Sequence, residues 1–142
     1  MGVDSAGTAV SEAQQVTKGG GFAPKDPANG YVYFAKGPNT AGIWRVPVGG
    51  GAEEPVVPEL AGGLWGEWEV AGSNLFFVAP RASDAAVIRL DLKTGVRQAV
   101  RTLPKPPMRE DSGFAVAPDG TWMLYSQADQ SGSDIFLVEH FQ

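Results

Sequence analysis

Three short clusters recur in phase along the chain: Phe22-Ala23-Pro24, Trp68-Glu69-Val70 and Phe114-Ala115-Val116, each 46 residues from the next. A chain that repeats itself at a fixed period of this size must build the same small unit several times over, and the units must bury their apolar faces on one another. Each cluster leads into a turn, at Asn29-Gly30, Gly72-Ser73 and Asp119-Gly120. Gly and Asn tolerate the backbone that such turns require. The second segments follow, Tyr31-Val-Tyr-Phe-Ala35, Leu75-Phe-Phe-Val78 and Trp122-Met-Leu-Tyr-Ser126, rich in the aromatic and apolar residues that suit a pleated sheet. Polar loops, the last at residues 129–133, lead to Ile43-Trp-Arg-Val-Pro47, Val87-Ile-Arg-Leu-Asp91 and Ile135-Phe-Leu-Val-Glu139, which align residue for residue.

Fourth segments come after Gly49-Gly50-Gly51 and Lys93-Thr94-Gly95, over residues 54–60 and 96–103, whereas the third unit has none before Gln142. At the other end residues 13–18 precede Gly19-Gly20-Gly21 without a unit of their own. Thr17, Leu60 and Leu103 are spaced by 43 and 43 residues, which puts 13–18 in phase as a displaced fourth strand. Four strands per period of about 40 to 50 residues is the signature of a β-propeller, in which each blade is one antiparallel sheet. The expected layout is a tail at 1–12, the displaced strand at 13–18, and blades at 19–61, 62–104 and 105–142, the last with three strands. A sandwich would give short strands without in-phase copies.

Composition agrees with an all-β chain. There are 19 Gly and 11 Pro for turns and 43% hydrophobic residues for a core. The net charge of −5 lacks the basic footprint of a nucleic-acid or anionic-membrane binder. With no Cys there is neither a disulfide framework nor a thiolate metal site. The first residues carry no basic and apolar leader pattern and no apolar run is long enough to span a bilayer, so no targeting signal is read in this chain.

Residues 117–126 read Ala-Pro-Asp-Gly-Thr-Trp-Met-Leu-Tyr-Ser. With Gly42-Ile-Trp-Arg-Val-Pro47 and Ser131-Gly-Ser-Asp-Ile-Phe-Leu-Val-Glu139, this string resembles the TolB-like, or WD-repeat-like, β-propeller family. More closely, residues 16–142 resemble the last three blades of the propellers that some bacteria fuse to CadC-like winged-helix regulators. The resemblance implies a protein-binding or structural scaffold, periplasmic if the chain derives from such a parent. The first unit departs from the family pattern with Asp26-Pro-Ala-Asn-Gly30 and the second with Ala71-Gly-Ser-Asn74; both still make a turn. No winged helix is present, so the regulatory activity does not carry over.

Three blades cannot close a ring, since closed propellers carry about four to eight. Unpaired edges and apolar blade faces mark association sites. The expectation is a homodimer closing a six-bladed ring, in which residues 13–18 of one chain pair beside residues 135–141 of the other, with Val16, Ile135, Leu137 and Glu139 at the interface. Pairing with a different half, or with another protein, is the alternative.

No catalytic signature emerges. His140 is the single histidine, and no Gly-x-Ser-x-Gly elbow accompanies it. First strands line a propeller channel, so Glu67, Glu69, Glu110 and Asp111 are candidates for the channel or its mouth, giving it an acidic character. Ca²⁺ is the cation such oxygens would suit, although no metal or cofactor is expected. Trp65 and Trp68 are read as a surface pair at the rim, Trp44 and Trp122 as interblade core, and Asp134 as a loop-fixing residue. A small-ligand, sugar or Ca²⁺ binder, or a propeller hydrolase or lactonase working through the channel, is the rival to the scaffold.

Overall fold

The structure, a computed structural model, describes residues 12–109, 112–129 and 132–141, of which 128, 129, 132 and 133 by backbone alone. Eleven strands among these residues form three antiparallel sheets. The first contains β1 (Phe22–Lys25), β2 (Tyr31–Ala35), β3 (Ile43–Pro47) and β4 (Glu54–Val57), hydrogen-bonded in that order. The second repeats the pattern with β5 (Trp68–Ala71), β6 (Asn74–Pro80), β7 (Ala85–Asp91) and β8 (Arg97–Leu103). The third has β9 (Phe114–Val116), β10 (Trp122–Asp129) and β11 (Gly132–Glu139). Within each sheet, strands adjacent in sequence pair by hairpins, as short connections favour.

The turns set the register. Gly120 has φ 72°, a conformation that costs a side chain steric strain, and its N–H bonds Ala117 O at 2.8 Å. Asp119 Oδ1 accepts the Thr121 N–H at 3.0 Å and the Thr121 hydroxyl at 2.7 Å; the hydroxyl first, then the N–H, hold its carboxyl below the ordinary Asp range. Asp91 does the same between β7 and β8. It accepts N–H bonds from Thr94 at 3.0 Å and Lys93 at 2.8 Å, which lower its pKa.

Two apolar layers join the three sheets. Between the first and second lie Tyr33, Ile43, Val57, Trp68, Leu75 and Phe77. Between the second and third lie Phe76, Val78, Val87, Phe114, Met123 and Tyr125, closed at one end by Phe141 edge-on to Phe76. Strand side chains alternate faces, so each sheet in the middle of such a stack must be apolar on both. The run Leu75-Phe-Phe-Val78, buried throughout, is the sequence form of that demand.

Residues 12–17 have no ladder neighbour in this chain, 13–18 being expected to pair in a second copy. Two expectations change here. The expected loop at 129–133 is mostly ladder, because β10 and β11 stay in register from Trp122↔Glu139 out to Asp129↔Gly132. Main-chain pairing needs no apolar side chain, so a polar stretch did not have to end the hairpin. Asp134 consequently stands inside β11 opposite Gln127 rather than fixing a loop.

Candidate functional site

The residues expected at the channel take different places. Glu67 is buried at 1% exposure. Its N–H bonds Leu64 O at 3.1 Å, its C=O accepts from Val78 at 2.9 Å, and its Oε1 accepts the N–H of Gly113 at 3.2 Å. Glu67 therefore ties the entry of the second sheet to that of the third instead of lining an open channel. A buried carboxylate needs such donors to offset its lost hydration. Glu69, two residues on, forms an ion pair with Lys25 Nζ at 2.9 Å, from the inner strand of the first sheet to that of the second. Lys25 neutralises one of the four carboxylates on which an acidic channel rested. Glu110 and Asp111 lie outside the described residues. Among the described residues no group of three or more His, Cys, Asp or Glu converges as a metal site.

The tryptophans are redistributed as well. Trp68 is a core residue at 1% exposure, its indole N–H donating to Trp65 O at 2.7 Å, and so it cannot be half of a surface pair. Trp65 is half-buried, edge-on to Phe22 with centroids 6.3 Å apart. Trp44 lies on the face of the first sheet turned away from the second, with Lys36 Nζ 3.7 Å from its ring centroid. Trp122 stands on the third sheet, exposed in this chain rather than packed in core. Exposed His140 has φ 56° and donates its N–H to Thr121 O at 3.3 Å.

What the fold does assemble is an open sheet. In the ladder of β10 and β11, Trp122 faces Glu139, Leu124 faces Leu137, and Ser126 faces Ile135; directly opposed residues share a face. Ala115 of β9 joins them opposite Leu124. Met123 and Tyr125, on the other face, are buried against the second sheet. The open face therefore carries Trp122, Leu124, Leu137 and Ile135, and a cleft of about 310 Å³ runs over Ala115, Leu124, Ser126 and Ile135. β11 is paired with β10 alone, leaving its outer edge without a neighbour among the described residues.

The repeat makes the exposure measurable. Ile43, Val87 and Ile135 occupy one repeat position in the third strand of each sheet. Their exposures are 0%, 0% and 78%. Leu137, two residues further along, is 59% exposed.

At the opposite end of the stack the first sheet also has a face turned away from its neighbour, made of Val32, Phe34, Trp44 and Val46. Phe34 and Val46 are nevertheless buried. Residues 14–18 run along this side: Gln14 Nε2 donates to Gly49 O at 3.1 Å and the Lys18 N–H to Glu53 Oε1 at 3.0 Å. Glu53 Oε2 in turn meets Lys36 Nζ at 3.0 Å. The Lys18 N–H, followed by Lys36, holds the Glu53 carboxyl below its usual range. Val16 is half-buried here. Lys25, Lys36, Glu53 and Gly113 were not foreseen, since nothing in the spacing of a lone Lys or Glu tells which sheet it will reach.

The fold matches the crystal structure of TolB from Acinetobacter baumannii with a TM-score of 0.62 over 89% of this chain, at 16% sequence identity. The matched region is 32% of that protein, so this chain spans about a third of its length. The architecture is therefore a TolB-like β-propeller arrangement of blades. No family model matches the sequence, and no curated protein matches it.

Proposed function

We propose that this chain is half of a TolB-like propeller, a non-enzymatic scaffold for protein interaction that two copies complete as a six-bladed ring with exchanged N-terminal strands. The observation that carries the reading is the contrast among Ile43, Val87 and Ile135: the same position is sealed by the next blade twice and left 78% exposed the third time. Exposed apolar surface of this kind, together with an unpaired eight-residue edge strand, is a docking surface or a liability to aggregation. A second copy offers both missing parts. Its first sheet supplies the outward face on which Val32 and Trp44 remain half-buried, and its residues 13–18, Val16 among them, supply a strand for the outer edge of β11, beside Ile135, Leu137 and Glu139.

The position of that segment favours the exchange. In the second sheet, Arg97 at the start of β8 bonds Glu59, just beyond β4 of the first sheet. In the first sheet, Glu53 beside β4 bonds Lys18. Arg97 lies 44 residues after Glu53 and Glu59 lies 41 after Lys18. Residues 14–18 thus sit against the first sheet much as the end of β4 sits against the second, where the outer strand of a preceding blade belongs. The resemblance of residues 16–142 to the propellers of bacterial CadC-like regulators favours a periplasmic setting. No cofactor enters this reading. Against a channel-based enzyme or Ca²⁺ site stand the partners of its intended carboxylates, Gly113 for Glu67 and Lys25 for Glu69.

Light scattering on a size-exclusion column tests the proposal. A single species at twice 14.9 kDa is expected. A soluble monomer across the accessible concentration range overturns it, and a species of higher mass overturns the six-bladed closure.

A further inference from the structure

The first sheet carries, on its outward face, a polar cluster around Glu53. Glu53 leads into β4 with its side chain 13% exposed. It faces the same way as Trp44, because Glu54, the next residue, turns to the other face and pairs with Arg45 at 2.8 Å. The charged groups around Glu53 are Lys36, which lies over Trp44, and Lys18 on the N-terminal segment. From Lys18 the carboxylate takes the main-chain N–H. A main-chain bond fixes where the backbone runs whatever the side chain at that position, so the contact sets the path of residues 14–18 rather than recognising a particular residue. Gln14 marks the other end of the stretch on Gly49 O. Between the two contacts the backbone has no ladder neighbour.

We infer that Glu53 is the positioning residue of strand exchange: seated by Lys36, it pins residues 14–18 beside the first sheet in the place from which they pair with β11 of a second copy. The inference rests on the two-chain reading above. A free terminal segment loses the conformational entropy of every residue it orders when it pairs, whereas a segment already held near both ends has lost part of that freedom before the encounter. The anchor and the accepting edge therefore belong to different chains. Glu53 and Lys36 organise the donor, and β11 of the partner copy receives it.

The experiment compares the dimer dissociation constant and the amide hydrogen exchange of Glu53→Gln, Lys36→Gln and Glu54→Gln with the parent chain. Glu54→Gln removes a charge one residue away on the opposite face of the same sheet and serves as the control. Glu53→Gln keeps an oxygen that can accept the Lys18 N–H but loses the charge that strengthens this bond and the Lys36 pair, and is expected to weaken the dimer about fivefold. Lys36→Gln is expected to weaken it less, and Glu54→Gln less than about twofold. Amide protection at residues 14–18 is expected to fall in Glu53→Gln and to hold in Glu54→Gln. A parent dimer whose constant and protection are unchanged by Glu53→Gln overturns the inference and leaves the two-chain reading standing. A parent chain that is monomeric by mass overturns both.

Discussion

The two end sheets of this molecule are built from the same repeat and treat water differently. The first has four strands, and its outward Phe34 and Val46 are buried on a side along which residues 14–18 run. The third has three strands, and its outward face leaves Ile135 and Leu137 mostly exposed. Local propensity cannot account for the difference, since β3 and β11 both carry Ile, an aromatic residue and Val at the same three repeat positions. The lesson is that in a stacked-blade fold the worth of a side chain is set by whether a neighbour follows. Ile135 is core material without a core.

Substitution along the repeat position is the strongest way to break the comparison. Val87→Asp buries an unpaired charge between the second and third sheets and is expected to cost more than about 4 kcal/mol, abolishing the folded state in urea titrations. Ile135→Asp, at the same repeat position, is expected to leave the unfolding free energy of the separated chain within about 0.5 kcal/mol. Its effect should appear in the mass instead, as loss of the dimer. If Ile135→Asp unfolds the chain as Val87→Asp does, the end sheets are equivalent and the contrast is wrong.

The tryptophans give a second, smaller test. Trp68→Ala should cost about 3–5 kcal/mol, because it opens a cavity between the first two sheets. Trp122→Ala should cost under about 1 kcal/mol in the separated chain. Equal losses would mean that the open face is covered within a single chain.

Glu67 distinguishes a structural carboxylate from a channel ligand. Glu67→Ala leaves the Gly113 N–H without this acceptor and is expected to cost about 1–3 kcal/mol of stability, with no change in melting temperature on adding Ca²⁺ to either form. A Ca²⁺-dependent rise in the parent chain, lost in the variant, would restore the channel reading.

The smallest effects belong to the turns. Gly120→Ala forces a side chain into positive φ and is expected to cost about 1 kcal/mol. Asp119 has its carboxyl lowered in the folded chain by the Thr121 hydroxyl and N–H. A lowered folded value means that its contribution is complete above the unfolded Asp value of about 4 and is lost as pH falls through the folded one. Asp119→Asn should flatten that part of the acid limb in a plot of stability against pH and leave the neutral region nearly unchanged. An unaltered acid limb would show that the turn bonds do not persist in solution.

The strands were legible in the sequence because sheet formation is written locally. The spacing of 46 residues, the Asp119-Gly120 turn and the apolar third strands identify the blades, and β2 and β3 fall where the pattern sets them. Boundaries drifted where pairing could continue without apolar side chains, as at residues 129–133, or where it stopped early, as at the end of β4. The candidate site was far less legible. Glu67 and Glu69 are two residues apart in sequence, yet one ties the second sheet to the third and the other ties it to the first. Trp65 and Trp68 look alike in the sequence, and the second is core.

The sequence by itself determined the period, the strand types and the turns, since each depends on residues within a few positions of one another. Only the tertiary structure decided which face of each sheet is sealed, which carboxylate is neutralised and where residues 14–18 run. Those outcomes depend on groups about forty residues away coming within hydrogen-bonding distance, as Lys18 and Glu53 do, or Lys25 and Glu69. Burial and ion pairing are properties of the neighbour as much as of the residue, and the neighbour is fixed only when the sheets stack.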